Sequence, residues 1–278
     1  SRLAWEGPEE DLNRTENAQP ALLAASIAYL EAVRERWYQL GVDAHPAFAA
    51  GHSMGQYSAL VAAGALDLAD AVRLVRTRGI AMQASGAGRE GRMAAIIGLD
   101  DDRLPELVAQ ASASGVFGVA NRNSPGQVVV SGERPAVEAS LTIAKSLGAK
   151  GAKLLAVSVA AHSPLMADAA DQMRRVLADV AFHDPAPPLL ANADAHVLAT
   201  ADACRAELVE HLTTGVDWVG AINAMTAAGV TTFVEVGPGR VLTGLIKRIA
   251  SDAVALATDD PAASDGLAIP FAEAAVAD

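Results

Sequence analysis

The chain has one cysteine, Cys204, in 278 residues. No disulfide can therefore form within it, and a reducing, cytoplasmic setting is expected. Aromatic residues are scarce at 4% against 51% hydrophobic, so the core must be aliphatic. Basic residues are outnumbered 21 to 33, which leaves a net charge of -12. That balance argues against nucleic acid as the main partner and makes any lone arginine informative, because it binds an anion against the global field. No apolar run is long enough to span a bilayer, and the first residues lack a charged-then-apolar signal pattern, so no membrane contact is expected. No metal site and no cofactor is expected either.

What is present is a pentapeptide, Gly51-His52-Ser53-Met54-Gly55, within AAGHSMGQYSALVAAGAL. The G-x-S-x-G spacing holds a serine on a sharp turn between a strand and a helix, hydroxyl outward. The surrounding sequence supplies that context: PAFAAG is a short apolar run before the serine, and 54–65 reads as a helix after it. A serine needs a base to act as a nucleophile.

Elsewhere, 17–40 predicts a helix with Pro20 in its first turn, and DLADAVRLVRTRGIAMQ predicts another. Strands are expected at 93–99, 115–120, 127–131 and 152–158, with helices after Asp100-Asp101-Asp102 and over 134–147. The turn Asn123-Ser124-Pro125-Gly126 joins the middle two strands. This order, β-α-β-β-α-β, is ferredoxin-like. The fold expected is α/β: a parallel-sheet, α/β-hydrolase-like core at 1–89 and 157–258, an inserted ferredoxin-like subdomain at 90–156, and a loosely ordered tail at 259–278.

Six histidines are candidates for the base. His52 adjoins the serine on a sharp turn and is expected to point away. His45, His183 and His196 sit in loop-like sequence and read as solvated. His211 falls on a helix. His162 follows the strand LLAVSVAA and precedes a helix starting at Ser163-Pro164, at the sheet edge where sites in open α/β folds gather. Arg78 alone reads as a solvated helix-end cation, and Arg73 and Arg76 as surface charges.

The stretches ENAQPALL, GHSMGQYSALVAAGAL, DAVRLVRTRG, NSPGQVVVSG, HSPLM and EVGPGRVLTGLIKRI, taken together, resemble the malonyl-CoA:acyl-carrier-protein transacylases and related acyltransferase domains of fatty-acid and polyketide synthesis. The resemblance runs through nearly the whole chain in family order. It implies malonyl-CoA and an acyl carrier protein as partners and an acyl-serine intermediate on Ser53. His162 would be the base, in a Ser-His dyad whose imidazole is oriented by a backbone carbonyl. The matching position is His211, whose side chain reads on its own as an exposed helix-end histidine. Arg78 matches the arginine that pairs with the malonyl carboxylate, as a planar guanidinium does well. Met54 is the candidate oxyanion donor through its main-chain N–H, with Gln56 beside it. Asn123 stands between two roles, approaching the substrate or building its own turn.

The chain departs from the family twice. It opens at SRLAWEGPEEDL, downstream of the family's first strand and Gly-Gln-Gly-Ser-Gln type loop, so a truncated chain with impaired activity is expected. It also carries Ala161 where malonyl-specific members place an aromatic residue, which implies room for alkyl-substituted malonyl groups. The alternatives are a serine esterase, with Asp194 and His211 completing a triad, and a catalytically impaired module that binds the carrier. For carrier docking, Lys145, Lys150, Lys153, Lys247 and Arg248 are the candidate basic patch.

Overall fold

The computed structural model describes residues 2–42, 44–86, 90–157 and 159–259. Two helical turns, α1 (Arg2–Glu6) and α2 (Glu9–Leu12), lead into the long α3 (Thr15–Gln39). The helix starts earlier than its periodicity suggests, so Pro20 lies inside it. Next come α4 (Gly55–Ala62) and α5 (Leu68–Ser85). Leu74, Val75, Ala81 and Met82 line the buried stripe of α5, together with one charged residue, Arg78.

The segment that follows runs β1 (Gly91–Ile97), α6 (Leu104–Ala111), β2 (Phe117–Ser124), β3 (Gln127–Glu133), α7 (Arg134–Ser146) and β4 (Gly151–Leu154). Pro125 and Gly126 form the tight turn between β2 and β3. The strands lie in the order β4-β1-β3-β2, each pair antiparallel. Ile96, Leu107, Val130 and Val137 form a hydrophobic cluster of this segment's own.

The chain then runs through α8 (Ala167–Ala178), β5 (Leu189–Leu190), β6 (Val197–Leu198), α9 (Ala201–Thr214), β7 (Val216–Asp217), α10 (Trp218–Ala227), β8 (Thr232–Glu235), α11 (Val241–Ile249) and β9 (Val254–Ala257). β7 adds to the free edge of β2 in parallel, through Asn121 with Val216 and Arg122 with Asp217. That pairing carries the C-terminal end of α9 to the edge of the antiparallel sheet.

The sequence predicts a mostly parallel core sheet. Among the described residues parallel pairing is limited to β2 with β7, β8 with β9, and a bridge between Ala49 and Leu189. The apolar runs at 48–50 and 189–190 are too short to build more. The main core is instead helical, with Leu23, Tyr57, Leu60, Leu74, Met173 and Leu208 fully or almost fully buried in one cluster. Of the expected tail only Asp259 is described, bonded to Arg240; 260–278 lie outside the described residues, as do 87–89 at the predicted subdomain boundary. No helix among the described residues is long and apolar enough to cross a membrane.

Helix α5 packs against α3 at Gly79, where a Cβ would lie 2.7 Å from Glu16 Cα and 2.8 Å from Thr15 O. Glycine inside a helix ordinarily costs about 1 kcal/mol relative to alanine. Here the sign is expected to reverse: Gly79→Ala should lower the denaturation midpoint, because backbone must move to admit the methyl group. A raised midpoint in chemical denaturation would show that the two helices separate freely.

Candidate active site

Ser53 sits at the head of α4 with φ +53, a left-handed conformation rare for a residue with a Cβ. The turn depends on Gly51, where a Cβ would fall 2.0 Å from the Gly55 carbonyl. Two amide side chains secure it. Gln56, fully buried, accepts from Gly51 N–H at 3.2 Å and donates to Leu190 O at 2.9 Å. Asn192 accepts from Ser53 N–H at 2.7 Å and donates to Gly51 O at 2.8 Å. The next amides are spent locally, Gly55 N–H on His52 O and Gln56 N–H on Ser53 O. Met54 N–H has no acceptor among the described residues, so it remains available to an oxyanion formed over the turn.

His162 also has a left-handed backbone, φ +59, and is 5% exposed. Ser163 stabilises that bend: its hydroxyl donates to Ala160 O at 2.7 Å and accepts from Leu165 N–H at 3.3 Å. The ring donates from Nδ1 to His211 O at 2.6 Å. Nε2 is thereby left unprotonated, 2.8 Å from Ser53 Oγ, where it accepts the hydroxyl proton. Burial and the positive charge of Arg78 push the His162 pKa down to about 3. The ring is neutral, and a base, throughout the physiological range.

Arg78 is 2% exposed. Its Nη1 donates to Gln19 Oε1 at 2.8 Å and its Nη2 to Ser53 Oγ at 2.9 Å. Tyr57 lies under the guanidinium at 6.0 Å, and burial raises the phenol to about 12, so it supplies no counter-charge. The cation is therefore held beside the nucleophile by neutral partners. Burial lowers its pKa, and a carboxylate delivered to it would gain a strong ion pair.

His211 is fully buried, not exposed at a helix end. The last turn of α9 is covered because Leu208 and Leu212 seat it in the main core and the His211 ring meets that of His162, with ring centres 5.9 Å apart. Besides the carbonyl that holds His162, its ring donates from Nδ1 to Glu207 O at 2.9 Å and turns Nε2 toward Arg78 Nη2 at 3.5 Å. His52 faces away from Ser53: its Nε2 is 2.9 Å from Asn123 Oδ1, and its ring packs near Trp218. Asn123 is thus tied to the nucleophile turn from the tip of the β2–β3 hairpin. Ala161 is half-buried beside His162 and packs against the main core.

Arg73 pairs with Asp70 and Arg76 reaches Asn17, both at the surface. Asp194 bonds to the exposed His196 rather than to His211, so the carboxylate an esterase triad would use is engaged elsewhere. Cys204 is buried and its thiol raised to about 11 by burial, far from a reactive thiolate. Among the described residues no cluster of His, Cys, Asp and Glu could hold a metal ion. Gln19, Asn192 and Glu207 were not anticipated from the sequence. Gln19 lies in ENAQPALL, where only the helix period stands out; a buried Asn after PAPPLLA and a Glu inside α9 carry no local signature.

The comparisons with known proteins converge. A family model described as acyl transferase domain matches residues 2–263. The malonyl CoA-acyl carrier protein transacylase of Escherichia coli strain K12 is 46% identical over 261 residues, 94% of this chain and 83% of that protein. The transacylase of the same name from Bacillus subtilis strain 168 is 43% identical over 262 residues, 94% of this chain and 81% of its own. Among solved structures, an acyl carrier protein S-malonyltransferase from Vibrio cholerae superposes with a TM-score of 0.90 at 42% identity, covering 96% of this chain and 85% of that one. A malonyl-transacylase in complex with a type II PKS acyl-carrier protein superposes with a TM-score of 0.88 at 43% identity, covering 95% and 84%.

Glu207, 2% exposed, is raised to about 7 by burial, against the opposing effect of the Asn192 N–H donated to it. The unfolded chain loses this proton near pH 4.5 and the native chain near pH 7. Between those values the native state holds more protons, so stability falls as pH rises through the window and levels off above it. Glu207→Gln, which cannot ionise, is expected to gain on the wild type across that window by a total of about 3 kcal/mol. Urea denaturation of both proteins at several pH values measures the difference; a constant offset would mean that Glu207 ionises normally.

Proposed function

The chain belongs to the acyl transferase domain family, and from that premise we propose that it moves a malonyl group from coenzyme A to the phosphopantetheine thiol of an acyl carrier protein through an ester on Ser53. One observation carries this reading: a single atom, Ser53 Oγ, lies 2.8 Å from the unprotonated nitrogen of His162 and 2.9 Å from a guanidinium nitrogen of Arg78. Nucleophile, base and carboxylate-binding cation meet there.

His162 Nε2 takes the hydroxyl proton as Ser53 Oγ attacks the thioester carbonyl. Met54 N–H, at the positive end of α4, donates to the oxyanion. The C–S bond breaks and the coenzyme thiolate leaves with the proton from His162. The carrier thiol then gives its proton to His162 and attacks the ester, and Ser53 Oγ leaves with that proton. In the free protein Arg78 Nη2 donates to Ser53 Oγ. A carboxylate is a stronger acceptor than a hydroxyl, so binding of malonyl-CoA draws Nη2 to the malonyl carboxylate while Nη1 stays on Gln19. An acetyl group offers nothing to that cation.

We read 90–156 as an inserted ferredoxin-like subdomain and 1–89 with 157–258 as the acyltransferase core. The strand order β4-β1-β3-β2, the two connecting helices and a separate apolar cluster support this. A cytoplasmic location fits a chain whose one cysteine is buried and unpaired. Ala161, beside the base, favours tolerance of substituted malonyl groups.

Intact mass after mixing with malonyl-CoA is expected to show one malonyl adduct, absent in Ser53→Ala. No adduct on the wild type would remove the acyl-serine reading. Arg78→Ala should cut kcat/KM for malonyl-CoA roughly 100-fold, the loss of a charge-assisted pair, and spare acetyl-CoA. Equal losses on both would give Arg78 a purely structural role. In direct competition, methylmalonyl-CoA should be used at a kcat/KM within about tenfold of malonyl-CoA, the scale of one methylene in a pocket; stronger rejection would mean that Ala161 leaves no room.

A further inference from the structure

The geometry points to Glu207 as a positioning residue for the nucleophile: its buried carboxyl group fixes the main chain at Asn192, and the Asn192 amide clamps both sides of the Ser53 turn. This deepens the acyl-Ser53 reading and rests on it.

Glu207 lies on the buried face of α9, one helical turn before His211. Its side chain is 1% exposed. Oε1 accepts from Asn192 N–H at 2.6 Å. Oε2 has no partner among the described residues. Burying a carboxyl group with one oxygen unsatisfied is costly, and a glutamate is rarely left so in a core without paired charge. The chain around it explains what is obtained in return.

Asn192 joins the short β5 to the loop that leads to β6, and its side chain spans the nucleophile turn. One side-chain atom takes the Ser53 N–H and another gives to Gly51 O. An amide reaching both residues can do so only if its own backbone is fixed in place and direction. Two contacts fix it: its N–H donates to Glu207 Oε1, and its carbonyl accepts from Asp217 N–H at 2.6 Å; of these Glu207 is the one made by a side chain. The strained backbone at Ser53 thus leans on α9 through two side chains. The same helical turn holds the base, since His211 O accepts from His162 Nδ1, and the Glu207 carbonyl accepts from the His211 ring. Nucleophile and base are referred to one rigid element, which sets their separation.

Oε1 is a carbonyl-type acceptor whether or not Oε2 carries a proton, so the clamp does not require an ionised Glu207. A glutamine offers the same acceptor; leucine and methionine offer none. The role is distinct from mere packing, because it acts on the attack geometry and not on acyl-CoA affinity. A displacement of about 1 Å at a nucleophile can cost on the order of 100-fold in rate.

The experiment compares Glu207→Leu, Glu207→Met and Glu207→Gln with the wild type in single-turnover acylation by malonyl-CoA, with hydrogen–deuterium exchange of the 49–56 segment measured on the same samples. Two apolar variants are used so that at least one folded protein is read. The expected result is a fall of 10–100-fold in the acylation rate at saturation, with KM little changed, faster exchange at the Ser53 amide, and recovery of both in Glu207→Gln. Asn192→Ala should produce the same loss, and the double variant no further loss. The idea is overturned if a folded apolar variant acylates at the wild-type rate with unchanged exchange, if Glu207→Gln fails like the apolar variants, or if the two losses simply add. Exchange reads the turn without any reaction, so a wild type that does not acylate would sink the function while leaving the clamp to be judged by exchange alone.

Discussion

A buried guanidinium without a buried anion is the constraint around which the site is arranged. Arg78 is 2% exposed, and no carboxylate among the described residues lies within ion-pair distance of it. Its partners are an amide oxygen, a hydroxyl and a histidine nitrogen. Desolvation of this kind costs several kcal/mol unless compensated, and each neutral partner offsets a part. The remainder is available to a substrate that brings its own negative charge. A chain with net charge -12 repels such a substrate at long range, so attraction must be local, and a cation shielded from solvent supplies it.

The same charge governs the base. Arg78 and burial act together on His162 and hold its pKa near 3, while the short bond to the His211 carbonyl works in the other direction without matching them. A carbonyl orients the ring as a carboxylate would, but adds no full negative charge. The imidazole therefore keeps one tautomer and stays neutral. In the proposed reaction a malonyl carboxylate brought to Arg78 would weaken one of the two depressing effects, so His162 would be a stronger base with substrate present.

Much of the nucleophile turn was legible in the sequence, because G-x-S-x-G is a backbone requirement: Gly51 has no room for a Cβ and Ser53 takes a positive φ. The β2–β3 turn was legible for the same reason, in Pro125-Gly126. His162 is preferred over five other histidines by its place after an expected strand at 152–158, but β4 ends at Leu154 and pairs antiparallel with β1, so that strand does not deliver the base; Arg78 is legible only by resemblance, since nothing in RTRG distinguishes a buried arginine from a surface one. His211 was misjudged. Helix-end position predicts exposure, and only the packing of α9 into the main core, against His162 and Arg78, reveals that this helix end is covered. Glu207 and Asn192 were invisible because their significance lies in contacts between 15 and 141 residues apart along the chain. The extent of parallel sheet was overestimated: alternating strands and helices suggest it, but the apolar runs at 48–50 and 189–190 support no more than a bridge and a two-residue strand.

The chemistry of the site turns most directly on the state of one ring. Selective ¹⁵N labelling of histidine and an NMR pH titration would report the tautomer and ionisation of His162 in the free protein. The expected result is a neutral imidazole protonated on Nδ1 that shows no titration from pH 8 down to 5. A His162 that takes up its second proton near the ordinary value of 6.5 would contradict it, because Arg78 would then not be buried against the base as described.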